Sequence, residues 1–173
     1  YPGPGLGGHC IPLDPYYLTW KAREFGFHTS MIESSMIIND KMPEYTVDRA
    51  ASVLNEHKKA LNGSKVLVLG VAYKNNIDDY RESPALNVID ILKERGAVTD
   101  FYDPWIPKYK RNCEWHEGIS EINADIIKEY DLILVATAHD AYDYDMIRKN
   151  ALAIFDTRNA FKDVEERDNI TLL

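Results

Sequence analysis

One cysteine and one carboxylate, four residues apart behind a run of glycines, are the side chains in this sequence best suited to covalent chemistry. They are Cys10 and Asp14, in the segment Gly7–Asp14. Glycines let backbone N–H groups approach a ligand closely, because no side chain intervenes. A thiol on such a loop is a candidate nucleophile, and a carboxylate within reach can transfer a proton or orient a water molecule. The alternative is a structural cysteine beside an ordinary helix cap.

The sequence also predicts a helix start directly after the cysteine. Asp14 is expected to be the N-cap and Pro15 the first helical residue, since both residue types favour those positions. The positive end of the helix dipole would then lie near Cys10 and favour its thiolate. Asp14 is expected to serve both as the cap and in the chemistry.

Three basic side chains stand next to predicted strand or helix ends. Lys74 and Arg158 each follow a predicted buried strand, and Arg81 stands just before a predicted helix. Parallel α/β sheets bind their ligands at the carboxyl ends of the strands, so the three cations are expected at one edge and indicate an anionic ligand. For Lys74 the alternative is a solvated lysine. For Arg81 the alternative is an ion pair with Asp78, Asp79 or Glu82.

Apolar runs and helical spacing alternate along most of the chain. The predicted strands are Lys65–Tyr73, Val98–Tyr102, Asp131–Thr137, Ala151–Phe155 and a short edge strand at Ile170–Leu173. The predicted helices are Pro15–Phe25, Ser30–Leu61 with a kink or break at Pro43, Ser83–Arg95, Ser120–Glu129 and Tyr144–Lys149. This order predicts an α/β fold, a Rossmann-like parallel sheet covered by helices and preceded by a helical segment.

A turn at Asn62-Gly63 predicts a boundary between two units, residues 1–61 and residues 62–173. In the first unit, Val47, Ala50, Ala51 and Leu54 have helical spacing and predict a packing face. In the second unit, the first strand ends in Gly70–Lys74, which lacks the Gly-x-Gly-x-x-Gly spacing. A standard dinucleotide fingerprint is therefore absent from this sheet.

Composition limits the classes of partner. The formal net charge of −8 argues against a nucleic-acid surface, and the longest apolar run is too short to span a membrane. Two cysteines, Cys10 and Cys113, form no disulfide framework and predict a cytoplasmic protein with reduced thiols. Cys113 and His116 are of metal-ligand type, but no second pair accompanies them, so a surface loop is expected and no metal site. The isolated histidines, expected to be structural or solvated, are His28, His57 and His139.

Four segments carry a resemblance to a known family. The segment Gly3–Pro15 resembles the active-site loop of the UDP-glucose/GDP-mannose dehydrogenase family. Gly70–Lys74 resembles that family's Gly-x-Ala-(Phe/Tyr)-Lys strand end, Asp79–Ala85 its helix start, and Asp156–Asn159 its final Asp-x-Arg segment. Within the family, Gly8–Leu18 is most similar to the UDP-N-acetylhexosamine 6-dehydrogenases, because UDP-glucose enzymes usually carry a lysine before the aspartate.

The resemblance implies an activity and a set of site residues. The family oxidises the C6 alcohol of a nucleotide sugar to a carboxylate with two NAD⁺. Cys10 would form a thiohemiacetal and then a thioester, and Asp14 would assist proton transfer. Arg81 would reach the nicotinamide cofactor or the sugar pocket at the domain junction. The residues expected to hold the UDP-sugar are Gly5, Leu6, Gly7, Gly8, Tyr73, Lys74 and Arg158.

The sequence also departs from the family pattern. It lacks the amino-terminal NAD-binding domain and the family's upstream catalytic lysine, threonine and glutamate, and it begins without methionine. We therefore expect a carboxy-terminal fragment that transfers no hydride alone: the end of a central dimerisation domain followed by a UDP-sugar-binding domain. A homodimer or higher homo-oligomer is expected for the full-length enzyme. The alternatives are a UDP-glucose 6-dehydrogenase fragment, a non-catalytic nucleotide-sugar binding or dimerisation module, and a signalling domain with an incidental cysteine.

Overall fold

Two helices precede the first strand in the computed structural model, which describes residues 3–173. Helix α1 spans Cys10–Glu24 and helix α2 spans Ser30–Glu56. Gly26, between them, has a φ of +70°, a left-handed conformation that glycine adopts without steric cost. The two helices form the first part of the fold and carry the cysteine.

The prediction of the start of α1 was wrong. The N-cap is His9, and Asp14 and Pro15 both lie inside the helix. Pro12 is the third helical residue, where no backbone N–H has an intrahelical partner, so this proline costs no hydrogen bond. Pro15 removes a single bond, the one that Ile11 C=O would have accepted. Two prolines are therefore tolerated near the helix start, and Cys10 itself is the first helical residue.

Helix α2 is one continuous helix through Pro43, and it ends five residues before the predicted Leu61. The chain leaves the helix at Lys58, which has a φ of +59°. The predicted packing face is confirmed at Val47, Ala50 and Leu54, which are fully buried, whereas Ala51 is only half-buried.

Five parallel strands form the central sheet. They are β1 (Lys65–Leu69), β2 (Val98–Tyr102), β5 (Leu132–Val135), β6 (Ile154–Asp156) and β7 (Ile170–Leu172). Their order across the sheet is β2-β1-β5-β6-β7, so the connections reverse direction between β1 and β5. The neighbouring strands β1 and β5 are buried on both faces, apart from Lys65 at the start of β1, as their continuous apolar runs predicted. The predicted strand pattern is confirmed, although β1 ends four residues early and β6 begins three residues late.

Alternate residues of β1 enter two separate cores. Val66 and Val68 pack with the apolar faces of α2 and of α3 (Pro84–Glu94), and Leu67 and Leu69 pack on the opposite side of the sheet. Ser83 is the N-cap of α3, as predicted, with Pro84 at the first helical position.

The opposite face carries two short helices. They are α4 (Ala124–Ile127), which replaces the longer predicted helix Ser120–Glu129, and α5 (Tyr144–Asn150), which agrees with the prediction. The N-cap of α4 is Asn123, whose side chain accepts hydrogen bonds from two backbone N–H groups of the first turn. None of the helices in residues 3–173 is both long and apolar enough to cross a membrane.

An antiparallel hairpin replaces the predicted surface loop around Cys113. It consists of β3 (Lys108–Arg111) and β4 (Glu114–Glu117). Asn112 and Cys113 form its two-residue turn, with φ values of +51° and +67°, as a type I′ turn requires. Tyr109 is buried and stacks on His116 at a centroid distance of 5.0 Å, which fixes the hairpin register.

Candidate functional site

Residues 3–8, here called the glycine loop, pack against the carboxyl end of β1. A Cβ atom at Gly7 would lie 2.5 Å from the Glu82 carbonyl oxygen and 2.8 Å from the Tyr73 Cβ. Gly8 has a φ of +86°, and a Cβ there would lie 2.7 Å from the Tyr73 ring. At Gly7 a side chain is excluded by the Glu82 backbone and the Tyr73 Cβ, and at Gly8 a side chain would require the Tyr73 ring to move.

The glycine loop is also held from α2. The backbone N–H of Leu6 donates a hydrogen bond to Asn39 Oδ1 at 2.7 Å. Sequence reasoning missed Asn39, which lies 33 residues away in the middle of a helix. No local pattern indicates this contact, so only the tertiary structure reveals it.

Cys10 and Asp14 lie one helical turn apart on α1 and both are exposed. They line the same open cleft, whose apolar wall is formed by Ile11, Leu18 and Ile32. Cys10 is in the first turn of α1, where unpaired backbone N–H groups and the positive end of the helix dipole favour an anion. The structure thus brings the thiol, the carboxylate and a helix N-terminus to one cleft.

Arg158 is a half-buried cation with no carboxylate partner within residues 3–173. Its Nε donates a hydrogen bond to the Ala136 carbonyl oxygen at 2.8 Å, and its guanidinium fills the space beside Gly3. Burial lowers the pKa of Arg158 from its usual value, and no ion pair of the described residues opposes this shift. Because Ala136 follows β5, Arg158 stands over the point where the strand order reverses, the usual ligand position in such sheets.

Tyr73 and Lys74 follow β1 beside the glycine loop. Tyr73 is half-buried under Gly7 and Gly8, and its backbone N–H donates to the Asp79 carbonyl oxygen at 3.0 Å. Lys74 is exposed. The glycine loop therefore lies between two predicted binding residues, Tyr73 at one end and Arg158 at the other.

Arg81 forms an ion pair within its own segment of the chain. Its exposed guanidinium forms an ion pair with Asp79, Nη2 to Oδ2 at 2.7 Å and Nε to Oδ1 at 3.0 Å. The hydrogen bond from Arg81 is the main reason that the pKa of Asp79 lies below its usual value. The ion pair that the sequence left open as an alternative is therefore present.

Arg158 also lines a second cleft, of about 660 Å³. Four carboxylates line it, at Asp140, Asp143, Asp145 and Asp163. Within residues 3–173, no group of three histidine, cysteine or acidic side chains is placed to hold a metal ion. The four carboxylates, which outnumber the two cations Arg158 and Lys162 in this cleft, would oppose an anion there.

The site combines an exposed thiol at the start of a helix with an arginine at the ligand edge of a Rossmann-like sheet that pairs with no carboxylate of residues 3–173. These features define the class as an α/β protein whose sheet edge could accept an anion. Family models agree with this description. The UDP-binding domain model of the UDP-glucose/GDP-mannose dehydrogenase family matches residues 67–163, and the central domain model matches residues 1–41. The chain belongs to the UDP-glucose/GDP-mannose dehydrogenase family, and the resemblance stated from the sequence is confirmed.

Two curated relatives show the extent of the match. The UDP-N-acetyl-D-glucosamine 6-dehydrogenase of Pseudomonas aeruginosa is 34% identical over 140 residues, which are 80% of this chain and 33% of that protein. The UDP-N-acetyl-D-mannosamine dehydrogenase of Methanococcus maripaludis is 37% identical over 168 residues, 91% of this chain and 36% of that protein. This chain thus spans about a third of the length of these relatives.

Solved structures of dehydrogenases resemble this chain over nearly its whole length. An NDP-N-acetyl-D-galactosaminuronic acid dehydrogenase from Methanosarcina mazei has a TM-score of 0.81 at 25% identity, over 100% of this chain and 38% of that one. A UDP-D-ManNAc dehydrogenase from Pyrococcus horikoshii has a TM-score of 0.77 at 28% identity, over 98% of this chain and 38% of that one. The predicted α/β fold is therefore confirmed.

Proposed function

We propose that this chain supplies the thiol and the nucleotide-sugar site of a UDP-N-acetylhexosamine 6-dehydrogenase, which oxidises the C6 alcohol of its substrate to a carboxylate. The observation that carries the proposal is the glycine loop. This one loop leads into Cys10 and packs against both Tyr73 and Arg158. A diphosphate bound near Arg158 would therefore place its sugar towards the thiol.

Two cations, Arg158 and Lys74, would favour binding of the diphosphate. Arg158 offers guanidinium N–H groups that no carboxylate of residues 3–173 occupies, and Lys74, which follows Tyr73 in the sequence, adds an exposed ammonium. Charge-assisted hydrogen bonds to phosphate are stronger than neutral ones. Gly5, Leu6, Gly7 and Gly8 would line the path of the ligand from the phosphates to Cys10.

The thiol would carry the covalent step. The first oxidation of the C6 alcohol would give an aldehyde. The Cys10 sulfur then adds to C6 of this aldehyde and forms a thiohemiacetal, whose oxygen takes up a proton. Loss of a hydride from that carbon, with the proton, leaves a thioester. Water then attacks the thioester carbonyl, and the carboxylate product and the free thiol separate. Asp14, one turn further along α1, would accept and return the protons in these steps.

NAD⁺ would accept the two hydrides, but the residues of this sheet do not fit a dinucleotide. A Cβ at Gly70, the residue after β1, would lie 2.5 Å from the Thr137 side chain. Helix α3 begins as many as 14 residues after Gly70, whereas in a dinucleotide site the glycine-rich turn leads from the strand directly into the helix. We propose that other parts of the longer protein bind the dinucleotide, with Arg81 reaching it after exchange of its ion pair. This chain alone is then expected to reduce no NAD⁺.

Ligand protection of Cys10 tests the proposal, and Cys113 serves as the internal control. Both thiols are exposed, but Cys113 lies in the turn of the β3–β4 hairpin. Alkylation by iodoacetamide is followed by mass spectrometry with and without UDP-N-acetylglucosamine at about 10 mM, well above a Kd of about 1 mM. Labelling of Cys10 should slow several-fold while that of Cys113 stays constant. Equal rates at Cys10 with and without the nucleotide sugar would contradict the proposal.

The same assay compares UDP-N-acetylglucosamine with the alternative substrate, UDP-glucose. The curated relatives described above act on N-acetylated sugars by name. Protection at a lower concentration of UDP-N-acetylglucosamine than of UDP-glucose is expected. The reverse order would assign the chain to the UDP-glucose branch.

A further inference from the structure

Asp103 and His139 form a buried pair that the proposed chemistry does not use. Asp103 follows β2 and His139 follows β5, and both side chains are fully buried, with His139 Nε2 3.1 Å from Asp103 Oδ2. The pair lies behind residues 70–76, here called the strand-end loop, which carries Tyr73 and Lys74. A buried ionisable pair is costly to place unless its hydrogen bonds are satisfied, so its partners reveal what it does.

The carboxylate of Asp103 is fully hydrogen-bonded. Its two oxygens accept five hydrogen bonds of 2.8–3.1 Å, from the backbone N–H groups of Val71, Ala72, Trp105 and Ile106 and from His139 Nε2. Burial alone would raise the pKa of Asp103, but the hydrogen bonds from His139 and from the backbone outweigh burial and lower that pKa. Asp103 is therefore ionised, and it binds the beginning of the strand-end loop.

His139 binds the other end of the same loop. Its Nδ1 accepts a hydrogen bond of 2.9 Å from the backbone N–H of Asn76, while Nε2 donates to Asp103. These partners define a neutral ring with its proton on Nε2. The Asn76 side chain donates from Nδ2 to Asp140 Oδ2 at 2.7 Å and accepts at Oδ1 from the Asp140 backbone N–H at 3.0 Å. Asn76 has a φ of +60°, so this end of the loop is a turn that the contacts hold in place.

From these contacts we propose that Asp103 and His139 are positioning residues, which hold the strand-end loop at both ends and so fix Tyr73 and Lys74 for the ligand. Tyr73 and Lys74 stand between the two anchored segments, Val71-Ala72 and Asn76. The consequence for ligand affinity rests on the proposed function. The effect on the loop itself does not.

Histidine ring NMR tests the geometry first. Long-range ¹H–¹⁵N spectra of the 173-residue chain should show His139 as a neutral ring protonated on Nε2 at pH 7. A charged ring, or a ring protonated on Nδ1, would overturn the proposal, because either form removes the acceptor for the Asn76 N–H.

Two substitutions at His139 separate its two hydrogen bonds. His139→Asn keeps an acceptor close to the position of Nδ1, and His139→Gln keeps a donor close to the position of Nε2. Amide hydrogen exchange at Asn76, whose N–H donates to His139 Nδ1, should accelerate about tenfold in His139→Gln and much less in His139→Asn. Asp103→Asn should accelerate exchange at Val71 and Ala72 instead.

The control is His116→Gln, which alters a half-buried histidine that stacks on Tyr109 in the hairpin, away from the strand-end loop. The strand-end exchange rates should stay at their wild-type values in this variant. Folded His139 and Asp103 variants with wild-type exchange across residues 71–76 would overturn the proposal. If one variant fails to fold, the ring spectrum and the remaining variants still test whether Asp103 and His139 hold the strand-end loop.

UDP titration separates this inference from the proposed function. In the wild-type chain UDP should shift the Tyr73 and Lys74 signals, and His139→Gln should weaken its affinity about tenfold. UDP affinity unchanged in His139→Gln, despite faster loop exchange, would overturn the positioning role. Absence of UDP binding by the wild-type chain would contradict the proposed function alone, since the exchange data test the loop without any ligand.

Discussion

Gly8 and Gly63 form a natural pair for testing the role of the glycine loop. Their φ values are +86° and +85°, so alanine suffers the same backbone strain at both positions. A Cβ at Gly8 would lie 2.7 Å from the Tyr73 ring, whereas a Cβ at Gly63 has no heavy atom of residues 3–173 within 4 Å. The difference between the two alanine variants therefore isolates the contact with Tyr73.

We predict that Gly8→Ala displaces the glycine loop and that Gly63→Ala does not. Each variant should lose about 1–2 kcal/mol of stability through the left-handed backbone. Only Gly8→Ala should also shift the Tyr73 ring signals in NMR spectra. Identical Tyr73 spectra in wild type and both variants would show that the loop does not pack on this ring.

The residues of the site differed in how far the sequence indicated them. Cys10, Tyr73 and Arg158 stand in short motifs, so the sequence alone identifies them as candidates. Asn39 and His139 act through contacts with Leu6 and Asn76, 33 and 63 residues away. Such contacts leave no local pattern, and His139 was expected only to be structural or solvated.

At the scale of elements, local signals decided which predictions succeeded. Strand β1 and helix α3 were found because a buried apolar run and a Ser-Pro start with a glycine after the end are strong local signals. The start of α1 was misplaced because Asp14-Pro15 offers a second, equally good local start. The β3–β4 hairpin was missed because its four-residue strands are too short for a clear alternation, and its turn uses Asn112-Cys113.

The packing face of α2 gives a prediction for stability. Leu54 is fully buried against the sheet and α3, whereas Ile38, on the same helix, is 63% exposed. Leu54→Ala should lower the free energy of unfolding by about 2–5 kcal/mol through lost burial and a residual cavity. Ile38→Ala should change it by less than about 0.5 kcal/mol. Urea unfolding monitored by circular dichroism measures both, and equal losses would contradict the assigned packing.

At the scale of the whole molecule, Asp103 links stability to pH. Its pKa is lowered in the folded chain, so its contribution is complete above the pKa of an unfolded aspartate, about 3.9. That contribution is lost as the pH falls through the lower, folded value. The difference in unfolding free energy between wild type and Asp103→Asn should therefore shrink below about pH 4.

Urea unfolding between about pH 3 and pH 5 tests this dependence. The other carboxylates with lowered pKa values, Asp79, Asp131 and Asp168, are present in both proteins, so their contributions cancel in the difference. A difference that stays constant over this range would show that Asp103 is not an ionised, hydrogen-bonded carboxylate in the folded chain.

The central claim is that the glycine loop, Tyr73 and Arg158 together bind the nucleotide of a UDP-sugar. The most direct measurement is an NMR titration of the ¹⁵N-labelled chain with UDP, in wild type and in two charge-removing variants. Arg158→Gln removes the half-buried guanidinium of the site, and Arg111→Gln removes one in the β3–β4 hairpin that pairs with Asp90. We predict shifts confined to residues 3–8, 73–74 and 158 with a Kd of about 1 mM, at least tenfold weaker in Arg158→Gln and unchanged in Arg111→Gln. Shifts elsewhere in the chain, or equal affinity in wild type and Arg158→Gln, would contradict the account.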